Sequence, residues 1–262
     1  MRIVALTFHD VVADADTQPA PGDAFYRLTT SQFETLLSQL HKRGYQTVSS
    51  RHFRAWQRGE RRLPERNLAF TFDDGYASHF ALVAPLLLRH RFSGTFFITT
   101  DLVGKPGYMT WEQLRKLVFL GMEIGSHGVT HRPLTHLSKD ELMSELVDSK
   151  RRLERELGVP VRAVAAPGGF WNAASVEAVK QAGYDAAWVS EIGTNGTETH
   201  PLALRRVVVR QPFSVDHVVL MVDGWQPAFW WAANQQRAIR LLKRTLGVYW
   251  YEQLKRRVVP NA

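Results

Sequence analysis

Cysteine is absent from the 262 residues. That excludes a disulfide framework, a thiolate metal site and a thiol nucleophile. Long apolar runs are missing as well: Ala81–Leu88 is short and is interrupted by Pro85, far below the ~20 residues of a spanning helix. The chain opens directly on Arg2-Ile3-Val4-Ala5-Leu6-Thr7-Phe8, without the long apolar core and small-residue cleavage site of an export signal, so the expected location is cytoplasmic. Internal repeats and low-complexity segments are lacking. Acids are scarce in one place: Trp225–Ala262 holds seven Lys/Arg against Glu252 alone, so six of the eight net positive charges lie there. The remaining body is near neutral, which argues against a nucleic-acid groove.

What is present reads as a globular α/β chain. Hydrophobic residues make up 45% and charged residues 22% of the sequence, ordinary values for a folded domain. Strand-like segments are predicted at Ile3–Phe8, Leu68–Phe72, Thr95–Thr99, Glu123–Gly125, Ala163–Ala166, Ala186–Val189 and Leu204–Val209, with Gln46–Val48 as a further candidate. Helical patterns lie between them. Phe33, Leu36, Leu37 and Leu40 mark one, ended by Gly44. Thr110 with Gln113, and Ser138 with Glu141, form capping boxes that open two others, and Ser175–Ala182 is a short one. Arg51–Arg66 reads as an Arg-rich loop or short helix with a solvated face. Strands alternating with helices imply a parallel sheet.

Chemistry concentrates where strands end. Leu68, Phe70 and Phe72 alternate with the period of a half-buried strand, and the strand runs into Asp73-Asp74-Gly75. Adjacent residues of an extended segment face opposite ways, so two acids at a strand end can serve two purposes, one binding a metal and one abstracting a proton. Asp-Asp-Gly also suits a plain turn. Met122-Glu123-Ile124-Gly125-Ser126-His127-Gly128-Val129-Thr130-His131 repeats the design with imidazoles. Two neutral imidazoles and a carboxylate form an open divalent-metal site, although any single histidine of the ten is as readily an ordinary surface or core residue.

Thr71-Phe72-Asp73-Asp74-Gly75 and Ser126-His127-Gly128-Val129-Thr130-His131 together resemble the first two motifs of the polysaccharide deacetylase (NodB-like) carbohydrate esterases, over about Met1 to Arg210. The resemblance implies a distorted (β/α) barrel of about seven parallel strands, with Asp73 as catalytic base and Asp74, His127 and His131 as ligands of a divalent metal, usually zinc; cobalt, nickel and manganese suit the same donors. Val164-Ala165-Ala166-Pro167-Gly168-Gly169 resembles the third motif, with Ala165 where an arginine orients the base and Gly168 where a backbone N–H meets the oxyanion. Pro167 and Gly168 are thereby expected at the substrate. Gly183-Tyr184-Asp185-Ala186-Ala187-Trp188 resembles the fourth, which makes Trp188 a wall of the acetyl pocket; plain core packing is its other reading. The general acid of the last motif, Leu-x-x-His, has its counterpart at the start of the chain in Leu6-Thr7-Phe8-His9. That resembles the circularly permuted exopolysaccharide branch and makes His9 the candidate acid, with His217 its rival.

The expected activity is hydrolysis of N-acetyl groups on amino sugars of a polysaccharide or glycan precursor. Alternatives are deformylation or deacetylation of a lipid-linked sugar at the membrane face, and an inactive glycan-binding domain, for which the missing third-motif arginine is the cue. Residues 1–224 are expected to form the catalytic domain and 225–262 a basic aromatic tail. In that tail Ile239, Leu242, Leu246 and Tyr249 share one side of a helix and Arg237, Arg240 and Arg244 another. The tail either packs on the barrel or contacts an anionic membrane at the inner face.

Overall fold

The structure, a computed structural model, describes residues 1–14, 23–210 and 213–238. Twelve strands occur among them: β1 (Ile3–Phe8), β2 (Asp10–Val12), β3 (Arg27–Thr29), β4 (Gln46–Thr47), β5 (Asn67–Phe72), β6 (Thr95–Ile98), β7 (Glu123–Ser126), β8 (Ala163–Ala165), β9 (Ala186–Val189), β10 (Thr194–Asn195), β11 (Leu204–Arg205) and β12 (Val207–Val208). The helices are α1 (Thr30–Lys42), α2 (Ser50–Gln57), α3 (Ala84–Arg89), α4 (Trp111–Phe119), α5 (Lys139–Leu157), α6 (Ala173–Gln181) and α7 (Val215–Val222), followed by a helix over 226–238.

Strands β1, β5, β6, β7, β8, β9 and β11 pair in that order, all parallel. The chain closes the sheet on itself between 204 and 208: β11 pairs with β9, and β12 returns to pair with β1. Arg206 alone separates the two strands, so the expected strand Leu204–Val209 is divided at the seam of the barrel. Antiparallel β10 covers the edge of β1.

Alternation sorts the side chains into two cores. Val4, Leu6 and Phe8 of β1, Leu68, Phe70 and Phe72 of β5, and Phe96 and Ile98 of β6 face the helices. Ile3, Ala5, Ala69, Phe97, Ala163, Ala165, Ala186, Trp188 and Leu204 fill the barrel interior, with Phe53 of α2 among them. Both faces of β5 are therefore buried, rather than one as the sequence pattern suggests; its small residues face inward because a narrow barrel has little room. Gly125 shows the constraint: a Cβ there would lie 2.4 Å from the Phe97 ring.

The helix ends follow their sequence signals. Capping boxes are present at Thr110/Gln113 and Ser138/Glu141, with a third at Thr29/Gln32, and Gly158 ends α5 in the left-handed region at φ 68°. The Arg-rich segment is helical as α2, opened by Ser49. The tail divides. Phe229 and Ala232 of the 226–238 helix are buried in the outer core, while Trp225 and Trp230 are exposed; Ile239, Leu242, Leu246 and Tyr249 lie outside the described residues. No helix among the described residues is long and apolar enough to cross a membrane.

Candidate active site

The register of β1 on β5 sets the site. Phe8 lies opposite Phe72, and the Asp73 N–H donates to the Phe8 carbonyl at 3.0 Å, so His9 and Asp73 leave neighbouring strands side by side. Asp73 continues the inward face of Ala69 and Thr71. An undisturbed strand would turn Asp74 away from it. Asp74 instead adopts φ 73°, the Gly75 N–H donates to the Asp73 carbonyl at 3.0 Å, and both carboxylates line one cavity. A left-handed backbone is strained for a non-glycine residue. Tyr76 lines the same cavity, and burial, then the nearby Asp74 carboxylate, raises its pKa.

Two strands along, β7 delivers His127 to the interior. Its Nδ1 donates to the Ala165 carbonyl at 2.9 Å, which fixes the tautomer and turns Nε2 toward Asp74, the outer-shell arrangement usual for a metal-ligating histidine. His131 returns from a tight loop and not from a helical turn, again left-handed at φ 66°. The Asp74 Oδ1 lies 3.5 Å from His127 Nε2 and 3.1 Å from His131 Nε2. One ligand atom from each residue falls within 4.8 Å of the others, and Asp74 Oδ1 is buried with no hydrogen-bond partner. An orphaned carboxylate oxygen facing two imidazole nitrogens fits a divalent cation. The donor set suits zinc and its first-row neighbours alike.

The electrostatics prepare the same residues. Burial pushes His127 down to about 4, which keeps it neutral at neutral pH, as ligation requires. Burial also opposes charge on His131, but the Asp74 carboxylate 3.1 Å from its Nε2 outweighs that and raises its pKa. The two rings differ because His127 is sealed inside the barrel while the His131 side chain is 44% exposed. Burial raises the carboxyl of Asp74, yet the closeness of His131, His127 and His9 holds it well below the usual range.

Asp73 has a partner that sequence reasoning missed. The Arg206 Nη1 donates to Asp73 Oδ1 at 2.7 Å, and both side chains are buried, Arg206 completely. Burial alone would raise Asp73; Arg206, then His127 and His9, reverse this and depress it. The guanidinium lies 5.6 Å from the centre of the Phe97 ring. Arg206 therefore holds the Asp73 carboxylate from the barrel seam, where Ala165 leaves the third-motif loop without an arginine. A signal was present, since Arg206 shares the parity of inward Leu204, but Val207 and Val209 make the opposite face equally apolar.

His9 faces the cavity from the end of β1. Its ring packs on Tyr26 with centroids 4.9 Å apart, and buried His79 is hydrogen-bonded to its carbonyl oxygen. His217 is not in the site: its ring is held between Phe213 and Trp231, at 5.3 and 4.6 Å. Gly168 lines the cavity at φ 64°, whereas Pro167 is buried behind it. Trp188 is displaced from its expected role. It lies inside the barrel, fully buried, and its indole N–H donates to Ser50 Oγ at 2.9 Å, because its parity on β9 points inward below the cavity floor. Phe170 and Trp171 line the cavity instead, a space of about 860 Å³ that also reaches Tyr26, His136 and Gln236. Gln236 belongs to the 226–238 helix and accepts from the Ile192 N–H at 3.3 Å, so this part of the tail is built into the rim.

Residues 60–187 match the family model described as polysaccharide deacetylase. Over just under half of its length the chain is thus similar to a polysaccharide deacetylase domain. The Bacillus subtilis protein YxkH is 27% identical over 183 residues, 70% of this chain and 66% of its own length. The poly-beta-1,6-N-acetyl-D-glucosamine N-deacetylase of Escherichia coli K12 is 29% identical over 140 residues, 47% of this chain but 20% of that protein. The chain thus spans about two thirds of the first relative and one fifth of the second. In fold, the chain superposes on the Streptococcus pyogenes deacetylase PplD solved with acetate, with a TM-score of 0.77 over 84% of this chain and 97% of that one, at 21% identity.

Proposed function

We propose that the chain is a metal-dependent hydrolase that removes N-acetyl groups from amino sugars of a polysaccharide. The observation that carries this is the convergence of Asp74, His127 and His131 beside a separate carboxylate, Asp73, tethered by a buried arginine. A metal site alone would need no second buried acid. An ion held by the triad, which we assign as zinc, would supply Lewis acidity to the amide carbonyl and the attacking water. Asp73 takes the proton from that water, using the oxygen not engaged by Arg206. Gly168 lines the cavity, and its N–H is assigned the role of donor to the developing oxyanion. His9, in register with Asp73 on the adjacent strand, returns a proton to the leaving nitrogen. The products are acetate and a free amine. Phe170, 42% exposed at the cavity rim, offers a face for a sugar ring.

The test is acetate release from polymeric, oligomeric and lipid-linked N-acetylhexosamines, with the E. coli relative's polymer among them. Activity should fall to background after chelation and return with zinc. Chelator-insensitive acetate release would overturn the metal reading. Release from lipid-linked donors alone would transfer the proposal to the membrane face, to which the exposed Trp225 and Trp230 and the basic tail are suited, and metal binding without turnover on the whole panel would make this a glycan-binding domain. We propose a cytoplasmic location, which cell fractionation tests.

His9→Ala should lower kcat by about 10²–10⁴, the usual contribution of a general acid, with bound metal unchanged. Wild-type turnover in this variant would remove His9 from the mechanism.

A further inference from the structure

We infer that Glu145 is a positioning residue for the metal, holding the 127–131 loop in its ligating shape before an ion arrives; this rests on the metal reading of the triad. Glu145 projects from α5, outside the barrel, and is buried. Its Oε2 accepts from the Val129 N–H at 2.6 Å and the Thr130 N–H at 3.1 Å, and its Oε1 accepts from the Thr130 hydroxyl. One carboxylate therefore takes three donors from the residues between His127 and His131.

Three other observations point the same way. The loop's opposite edge is tied down, with the Gly128 and Val129 carbonyls accepting from Thr100 and Asp101 N–H at 3.1 and 3.0 Å. Ser126 Oγ, which accepts from the Gly128 N–H at 3.1 Å, lies 2.7 Å from Ser149 Oγ, and Ser149 is one helical turn beyond Glu145 on the same face of α5. At Gly128, φ 79°, a Cβ would sit 2.7 Å from Glu145 Oε2, so the carboxylate fills the space where a side chain would stand.

The physical need is clear at His131. Its φ of 66° is an uncommon, mildly strained conformation for a non-glycine residue. An unpaired loop would relax, and the ion would then have to reorder it on binding. With Val129 and Thr130 fastened to α5, that ordering is complete in the folded protein, and the binding energy is not spent on it. Glu145 does not line the cavity.

The experiment uses the full chain as wild type, Glu145→Ala and Glu145→Gln. Amide hydrogen exchange is followed in the metal-free proteins, and zinc affinity is measured by competition with a chromophoric chelator. In metal-free wild type, Val129 and Thr130 should be protected. Glu145→Ala should speed their exchange at least tenfold relative to amides in α4 and α6, and weaken zinc binding about 10–100-fold, the range for outer-shell partners of a metal site. Glu145→Gln keeps an acceptor oxygen and should recover part of both. Should Glu145→Ala fail to fold, Glu145→Gln carries the test, with a several-fold loss of zinc affinity expected. A folded Glu145→Ala with wild-type zinc affinity, a Glu145→Gln without loss where the alanine variant does not fold, or unprotected Val129 and Thr130 in metal-free wild type overturns the proposal. A wild type that binds no divalent ion sinks the enzymatic reading instead, so the two failures are distinguishable.

Discussion

Replacing Asp73 by asparagine should lower kcat by about 10²–10⁴ while leaving the metal bound. The side chain keeps its shape and an oxygen for Arg206, but it no longer accepts a proton at neutral pH. Asp74→Asn changes a different property. It removes the charge from the one oxygen that faces both imidazoles, so metal affinity should drop together with turnover. Metal content by elemental analysis, set beside kcat for both variants, separates base from ligand. Equal metal loss in the two would show that the carboxylates share one role.

Arg206→Met should be the most destabilising single change in the site. Removing one partner of a buried pair leaves an uncompensated charge and costs about 3–5 kcal/mol, which for a domain of this size lowers Tm on the order of 10 °C. The pH dependence has a definite sign. Arg206 depresses Asp73 below its unfolded value, so the pair's contribution is complete above the unfolded pKa and is lost as pH falls through the folded one. In Arg206→Met burial is opposed by fewer charges, the Asp73 pKa rises, and protonation becomes stabilising. The Tm gap between wild type and variant should therefore narrow on acidification, and the acid limb of kcat/KM should move to higher pH. Adding Asp73→Asn to Arg206→Met should restore part of the lost stability, because no lone charge then remains in the barrel. A variant with wild-type Tm and an unshifted acid limb would show that Arg206 does not hold the base.

The legible parts of the site share one property: each is written within a few residues of a strand end. Asp73, Asp74, His127 and His131 follow β5 and β7 directly, and His9 follows β1, so local period and motif sufficed to find them. Trp188 went astray for a related reason. Its motif fixed its place in the chain, but with both faces of β9 buried, apolar patterning does not tell inside from outside, and of its two readings, pocket wall and core packing, the second holds. Tyr76, next to the acid pair, gave no signal separable from an ordinary buried aromatic.

By itself the sequence determined the alternation of strands and helices, the helix caps, and the triad with its neighbouring acid, because these depend on spacing along the chain and on which side chains bind protons or metals. Tertiary structure decided the rest. Arg206 lies 133 residues from Asp73 and reaches it only because β11 and β12 close the barrel on either side of it. Glu145 meets the metal loop only because α5 packs outside β7. The left-handed turns at Asp74 and His131, which bring alternating side chains to one cavity, persist because distant hydrogen bonds and packing outweigh the local preference of the backbone.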